Sequence, residues 1–332
     1  SKVQLAVDNV TEKFKKRKIF SVMEPLFDSI SSFSDTSTKR VLPVFISETI
    51  SDYYFRKFPR RTKEVINATK IQGVGVGDES YVSQILGSTF QQYNFYENNL
   101  YILDKDFISP LSITANSYYY FTLKDSVVID GKPCYQIRVD PKNPIDLVFS
   151  GTIWIETNSY ALKQVNLEIT DKANINFIEK LKIQQEFTEV EPTYWLPKKT
   201  RVLIDIAELT DNTLGMIGLY YNSAKNISVN NVHELPFYEE KIAVADSSFE
   251  RSDEYWDTTR HERISANDKK VYLMVDSLKN QPLIKSYIDI VEIAVEGHIP
   301  NDKIDLGPWY YLLGYNALEG VRTRIGFRTS PN

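Results

Sequence analysis

Cys134 is the sole cysteine among 332 residues, so an intramolecular disulfide and a cysteine-built zinc cluster are both excluded. A lone thiol can be a small core hydrophobe, and it leaves the redox compartment open. Histidine is nearly as scarce: His233, His261 and His298 stand far apart, none at a metal-ligand spacing. No run approaches the ~18 apolar residues that mark a membrane-spanning helix. "SKVQLAVDNV" has no apolar stretch after its lysine of the kind a secretory signal carries. Taken alone, these absences read as cytoplasmic. Basic residues are in deficit, with a formal charge of −5 at pH 7, so no nucleic-acid footprint is indicated; the ordinary apolar fraction argues against disorder.

Motifs for chemistry are also missing. "GVGVGDES", with Gly73, Gly75 and Gly77, lacks the Gly-Lys-Ser/Thr of a phosphate loop and the full dinucleotide fingerprint. No serine stands in a Gly-x-Ser-x-Gly elbow, and Cys134 lies in an expected strand without sign of activation. His261 in "TTRHER" sits among charges, as a solvated residue does. The expectation is a non-enzymatic protein with no cofactor and no metal.

What is plentiful is aromatic. Glycine numbers only 13, but tyrosine 21 and phenylalanine 17, a balance that suits pleated sheets. From Tyr118 onward the texture is that of strands. "YYYFTLKD" leads into "VVIDGKPCYQIRVDP", where Asp130-Gly131 signals a tight hairpin because its turn needs positive φ. "LVFSGTIWIE", "YALKQVNLEIT", "EKLKIQQEFTEV", "TYWLPKKTRVLIDIAEL" and "LGMIGLYYNSAKNISV" continue the series. In "EKLKIQQEFTEV" Leu181, Ile183 and Phe187 take one side while Lys180, Lys182 and Glu186 take the other. Such patterning predicts a largely antiparallel meander with one wet face. A curved sheet with helices on its inner face satisfies it, and so does a sandwich.

Elsewhere the expectations are helical or loose. "VQLAVDNVTEKFKK" sets Val3, Val7, Val10 and Phe14 on one helical stripe. "SETISDYYFRKFPRRTKEVINATK" reads as polar-faced helix or turn structure broken at Pro59. "EEKIAVADSSFERSDEYWDTTRHERIS" reads as a tethered connector. A helix is expected next, with Ser265 as its cap and Val271, Met274, Val275 and Leu278 as its stripe. "LIKSYIDIVEIAVEGHI" fits helix or strand.

The tail "GPWYYLLGYNALEGVRTRIGFRT" has three features of an outer-membrane strand pair. Trp309, Tyr310 and Tyr311 cluster as an interfacial belt does. "NALEG" is a polar turn between two alternating runs. In the second run Val321, Ile325 and Phe327 alternate with arginines, as lipid-out, lumen-in strands do. A water-facing strand of a sandwich has a similar rhythm. One strand pair cannot cross a bilayer with its backbone unpaired, so on the membrane reading more strands follow Asn332, and the chain looks cut at both ends.

"LPVFISETISDYYF", "INATKIQGVGVGD", "FQQYNFYENNLYILDKDFISPL" and "DPKNPIDLVFSGTIWI" resemble a domain of unknown function (family 5686) found in Bacteroidota outer-membrane proteins. In that family a carboxypeptidase-regulatory-like β-domain precedes the domain and a C-terminal β-barrel follows it; the tail resembles the start of that barrel. The resemblance implies an outer-membrane address with this portion on the periplasmic side. It supplies no reaction. The strand region, with "FSGTIWIETNSYALKQVNLEI", also resembles the open half-barrels of periplasmic lipoprotein carriers in shape and rhythm, whose apolar inner face shelters acyl chains.

These readings converge on a mainly β (α+β) chain. Residues 1–240 would form a curved antiparallel half-barrel with packed N-terminal helices, 241–282 a connector and amphipathic helix, and 283–332 the start of a C-terminal barrel. Phe107 in "FISPL", a lip or plug, is a cavity-lining candidate together with Tyr118, Tyr120, Tyr135, Phe149, Trp154 and Phe187; the plain alternative is that these rings fill a core. Trp309, Tyr310, Tyr311, Val321, Ile325 and Phe327 are the membrane-interface candidates. Two functions follow as expectations. One is a module that shelters a lipid or an acylated, lipoprotein-like client; the other is a structural module that caps the barrel or docks an envelope protein complex. Neither involves nucleic acid.

Overall fold

The computed structural model describes residues 2–6, 41–73, 93–102, 105–169, 173, 175, 178–207, 215–262, 269, 272–273, 304–307, 313–316, 320–323 and 326–329. Its centre is one open sheet. Seven strands follow one another as an antiparallel meander: β6 (Tyr119–Ile129), β7 (Lys132–Pro141), β8 (Ser150–Glu156), β9 (Leu162–Ile169), β10 (Ile178–Glu191), β11 (Tyr194–Ile206) and β12 (Gly215–Ser223). Beyond β12 the sheet continues through β1 (Lys2–Ala6), β2 (Val41–Arg56) and β3 (Arg61–Gly73), and ends on β13 (Ile242–Val244), which joins β3 in parallel. With β6 and β13 at its two ends the sheet does not close, and the chain is a mainly β open half-barrel.

Local chemistry sets the strands. The β6–β7 turn carries Asp130 at φ 49° and Gly131 at φ 74°, the positive pair that lets a two-residue hairpin follow the strand twist. On β10, Leu181, Ile183, Gln185 and Phe187 are buried while Lys182, Gln184 and Glu186 between them are not, so the period-two pattern predicted there is the one the sheet uses. Gly151 on β8 has φ 149°, and a side chain there would meet the Asn166 carbonyl oxygen at 2.2 Å. Only glycine allows β8 and β9 to approach so closely.

Two expectations are corrected. Residues 2–6 are a strand between β12 and β2, not the start of a helix; the remainder of the predicted stripe lies outside the described residues. The "SETISDYYF…EVINATK" region is not helical but a long hairpin, β2 with β3, around a turn that holds a cis Phe58–Pro59 bond. Its polar character misled because much of one face is covered by rings and paired charges supplied from far along the chain.

That cover is the segment expected to be a connector, which is strapped along the outer face. His233 stacks on Phe237 with ring centroids 4.3 Å apart, and both meet Tyr54 edge-on. Lys63 lies 4.8 Å over the Phe237 ring. Among the described residues, the helical turn α1 (Ala115–Tyr118) precedes β6, and the strap carries α2 (Asp253–Thr259). Ser252 caps α2 by accepting the Tyr255 N–H at 3.2 Å, two carboxylates fill its first turn, and Trp256 is buried. Arg260 then binds Glu48 at 2.7 Å, and Tyr272 donates a hydrogen bond to the same carboxylate. Glu262 binds Lys199 at 2.6 Å on β11. The strap therefore crosses from β3 to β11. Ser265 and the apolar stripe predicted after it lie outside the described residues.

In the tail, β15 (Leu313–Asn316) pairs antiparallel with β16 (Gly320–Thr323), and β14 (Ile304–Leu306) with β17 (Phe327–Thr329). Phe327 is exposed and Arg328 binds the buried Asp305 at 3.0 Å. Val321 falls on β16; Trp309, Tyr310, Tyr311 and Ile325 lie outside the described residues. Among the described residues no helix is long and apolar enough to cross a membrane, which says nothing of a β-barrel.

Candidate functional site

The inner face of the meander is built in rows. Ile137, Ile153, Val165, Gln185, Thr200 and Asn222 stand side by side on β7 to β12. The neighbouring row runs Val139, Gly151, Leu167, Ile183, Val202 and Tyr220. The β7–β9 side is apolar. Polar groups enter only at β10, and the first of them, Gln185, occupies an inward position flanked by Ile183 and Phe187.

A short piece of chain, residues 93–102 and 105–118, lies over this face. Its core is the hairpin of β4 (Asn99–Ile102) and β5 (Lys105–Ile108). Alternation turns Leu100, Ile102 and Phe107 toward the sheet and leaves Tyr101 outside. Phe95 and Phe107 each place their ring centroid 5.6 Å from that of Phe149, inside the range in which aromatic pairs attract. Hydrogen bonds tie it down at its margins. The Ile108 N–H donates to the Leu147 carbonyl at 3.0 Å. Tyr119 accepts the Phe149 N–H at 3.1 Å and donates to the Ile108 carbonyl. The Leu162 N–H donates to Tyr96 Oη at 2.8 Å, and Lys142 to the Asn116 and Tyr118 carbonyls at 2.6 and 2.8 Å. Within the piece, Ser109 Oγ donates to the Phe95 carbonyl at 2.5 Å. The piece acts as a plug: apolar beneath, and pinned at its margins.

The cavity candidates divide. Phe107 of the plug shares one buried cluster with Phe149 and Phe187 beneath it, and Tyr118 packs against that cluster. Tyr135 shares a strand face with Val139 and is half-buried. Tyr120 is exposed, with Lys142 5.1 Å over its ring, and Trp154 pairs with Gln136 and Gln164, on the opposite face of β8 from Ile153. Tyr93, Phe95, Tyr119, Gln185, Thr200 and Tyr220 also belong to the site and carry no motif. Gln185 alone had a signal, as a polar residue at an inward position of a clean alternation.

Burial governs the electrostatics of the polar half. It pushes the Tyr220 hydroxyl up to about 12 and raises Tyr93 further still. Glu64 on β3 is buried, which raises its carboxyl, and its charge also raises Tyr220. Gln185 donates from Nε2 to the Tyr93 carbonyl at 3.0 Å and to Thr200 Oγ1 at 3.2 Å. Its Oε1, like Glu64 Oε1, is buried without a hydrogen-bond partner. Cys134 is buried and its thiol is pushed up by desolvation, the reverse of activation. Ser223 Oγ stands 2.9 Å from His261 Nδ1, but both lie on the outer surface, where the contact fastens the strap to β12. Among the described residues no cluster of three His, Cys, Asp or Glu side chains could hold a metal.

The family model described as "Family of unknown function (DUF5686)" matches residues 1–226. No curated protein matches the chain. Among solved structures, a putative outer membrane lipoprotein-sorting protein domain from Vibrio parahaemolyticus is 8% identical, with a TM-score of 0.22, over 58% of this chain and 82% of that one. A DUF1329 family protein from Desulfovibrio piger is 11% identical, with a TM-score of 0.20, over 67% of this chain and 98% of that one.

Proposed function

The chain belongs to the DUF5686 family of unknown function, and from that premise we propose a non-enzymatic module of the cell envelope that shelters an acyl chain of a lipid or acylated client. The module belongs to an outer-membrane β-barrel protein and lies on the periplasmic side. The alternating tail, which pairs as two short antiparallel ladders, supports that address.

The observation that carries the sheltering role is the plug. An apolar sheet face is covered by a short aromatic piece of chain whose contact with that face is made mainly by hydrocarbon and rings, with its hydrogen bonds at the margins. Exposing Phe95, Leu100, Ile102 and Phe107 would cost roughly 6–12 kcal/mol at ~1.5–3 kcal/mol per side chain. A twelve-carbon chain taking their place would gain roughly 9 kcal/mol at ~0.8 kcal/mol per methylene. The two are close enough for exchange, so the plug acts as a stand-in for the ligand and the shelter is transient.

Native mass spectrometry of the detergent-free protein should find co-purified lipid, and a neutral fluorescent acyl ester should be taken up with release of the plug. Absence of both, with plug amides protected throughout, would remove the proposal.

A second reading has its own observation. Among the described residues strand β6 ends the sheet with one unpaired edge, and Tyr120, Leu123 and Val128 are exposed on it. Such an edge can accept a strand from another protein. Cross-linking in cells separates the readings, because a docking module gives one defined protein partner whatever the lipid supply.

A further inference from the structure

We infer that the sheltered acyl chain is amide-linked, and that Gln185 recognises the amide. The inference rests on the sheltering role above and adds the chemistry of the ligand's head. Gln185 is 3% exposed, sits where the apolar half of the inner face meets the polar half, and is only half satisfied. Its Nε2 is occupied by the Tyr93 carbonyl, 3.0 Å away, and by Thr200. Its Oε1 has nothing to accept from. A buried acceptor left unpaired is costly, so a sheet that keeps one here stands to gain from a donor.

The plug supplies half of what Gln185 can bind. Tyr93 presents a backbone carbonyl, one end of an amide, and brings no N–H to Oε1. If the plug leaves, both ends of the Gln185 amide become available. A ligand amide satisfies both: its C=O takes over from Tyr93 on Nε2, and its N–H reaches the orphaned Oε1. An ester offers only the carbonyl. A free carboxylate offers no donor and brings a charge close to Gln185 Oε1, an acceptor without a cation among its hydrogen-bond partners. Beside Gln185 the rows run to Ile153 and Val165 on one hand and Thr200 and Asn222 on the other. The acyl tail therefore lies toward β8 and β9, and the group beyond the amide toward β11 and β12.

The test is binding of three twelve-carbon probes to the whole chain by calorimetry: N-ethyl dodecanamide, ethyl dodecanoate and dodecanoate. The amide should bind about tenfold more tightly than the ester, the ratio that ~1.4 kcal/mol for one newly satisfied acceptor produces. Dodecanoate should bind most weakly. Gln185→Met should abolish the amide preference while the ester still binds, and circular dichroism should report an intact sheet. Should Gln185→Met not fold, Gln185→Glu, which keeps an acceptor but loses the donor pair, should weaken amide and ester alike and preserve the amide preference; loss of that preference would count against Oε1 as the discriminating atom. Equal binding of amide and ester by the native chain overturns this inference and leaves the sheltering role standing. No binding of any probe overturns the sheltering role itself.

Discussion

Replacing Phe107 by alanine tests whether the plug is a detachable unit. The ring has no exposed surface, packs against Phe149 at 5.6 Å, and sits opposite Leu100 in the plug hairpin. Removing a buried phenylalanine side chain costs about 3–5 kcal/mol, part for lost transfer and part for the cavity left behind. That cost falls on whatever unit needs the ring. If the plug opens while the sheet stays folded, Phe107→Ala should raise its opening equilibrium by roughly two to four powers of ten, at ~1.4 kcal/mol per tenfold. The readout is amide hydrogen exchange. Leu100, Ile102 and Ile108 should exchange faster by that factor, while amides of β9 and β10 change far less, and uptake of a neutral acyl probe should rise. Equal acceleration of plug and sheet would show one cooperative unit and refute the exchange mechanism. Unchanged plug amides would refute the packing role assigned to the ring.

Glu156 is held down to about 2, first by the Ser159 hydroxyl at 2.6 Å and then by the Ser159 N–H. Because its folded value lies below the ordinary 4.5, its contribution is present above pH ~4.5 and fades as pH falls toward 2. Urea midpoints measured from pH 6 to 2 should drop less steeply for Glu156→Gln than for the native chain; parallel curves would contradict this. Arg260→Ala strands the half-buried Glu48 carboxylate and should cost about 1–3 kcal/mol, with faster proteolysis between residues 245 and 262. A loss under about 0.5 kcal/mol would mean that the strap does not depend on this pair. Gly131→Ala meets no atom within 4 Å and pays only for its φ of 74°, about 1–2 kcal/mol. Gly151→Ala drives a carbon into the backbone of β9 and should exceed 4 kcal/mol or prevent folding; equal melting temperatures for the two variants would argue against the close β8–β9 approach.

The sequence by itself determined the meander. Alternation over residues 178–191 and the Asp130-Gly131 turn are local signals: side-chain direction in a strand has a period of two, and positive φ favours glycine. The same rules indicated that Leu181, Ile183 and Phe187 face a core, and they mark Gln185 as out of place among them. Tertiary structure alone decided what covers each face. "SETISDYYF" and "EVINATK" are strands because the strap ion pairs and aromatic contacts of Phe237, Arg260 and Tyr272 satisfy their outer polar groups, and those partners lie roughly 170 to 225 residues away in sequence. Residues 2–6 are too few to show a period, and pairing with both β12 and β2 fixed them as a strand. The cavity candidates carried equal weight in sequence, and only register separated Phe107 of the plug and Phe149 beneath it from Tyr120 and Trp154 away from it. A side chain's face follows from its neighbours along the chain, whereas what lies against that face depends on distant segments that local pattern does not encode.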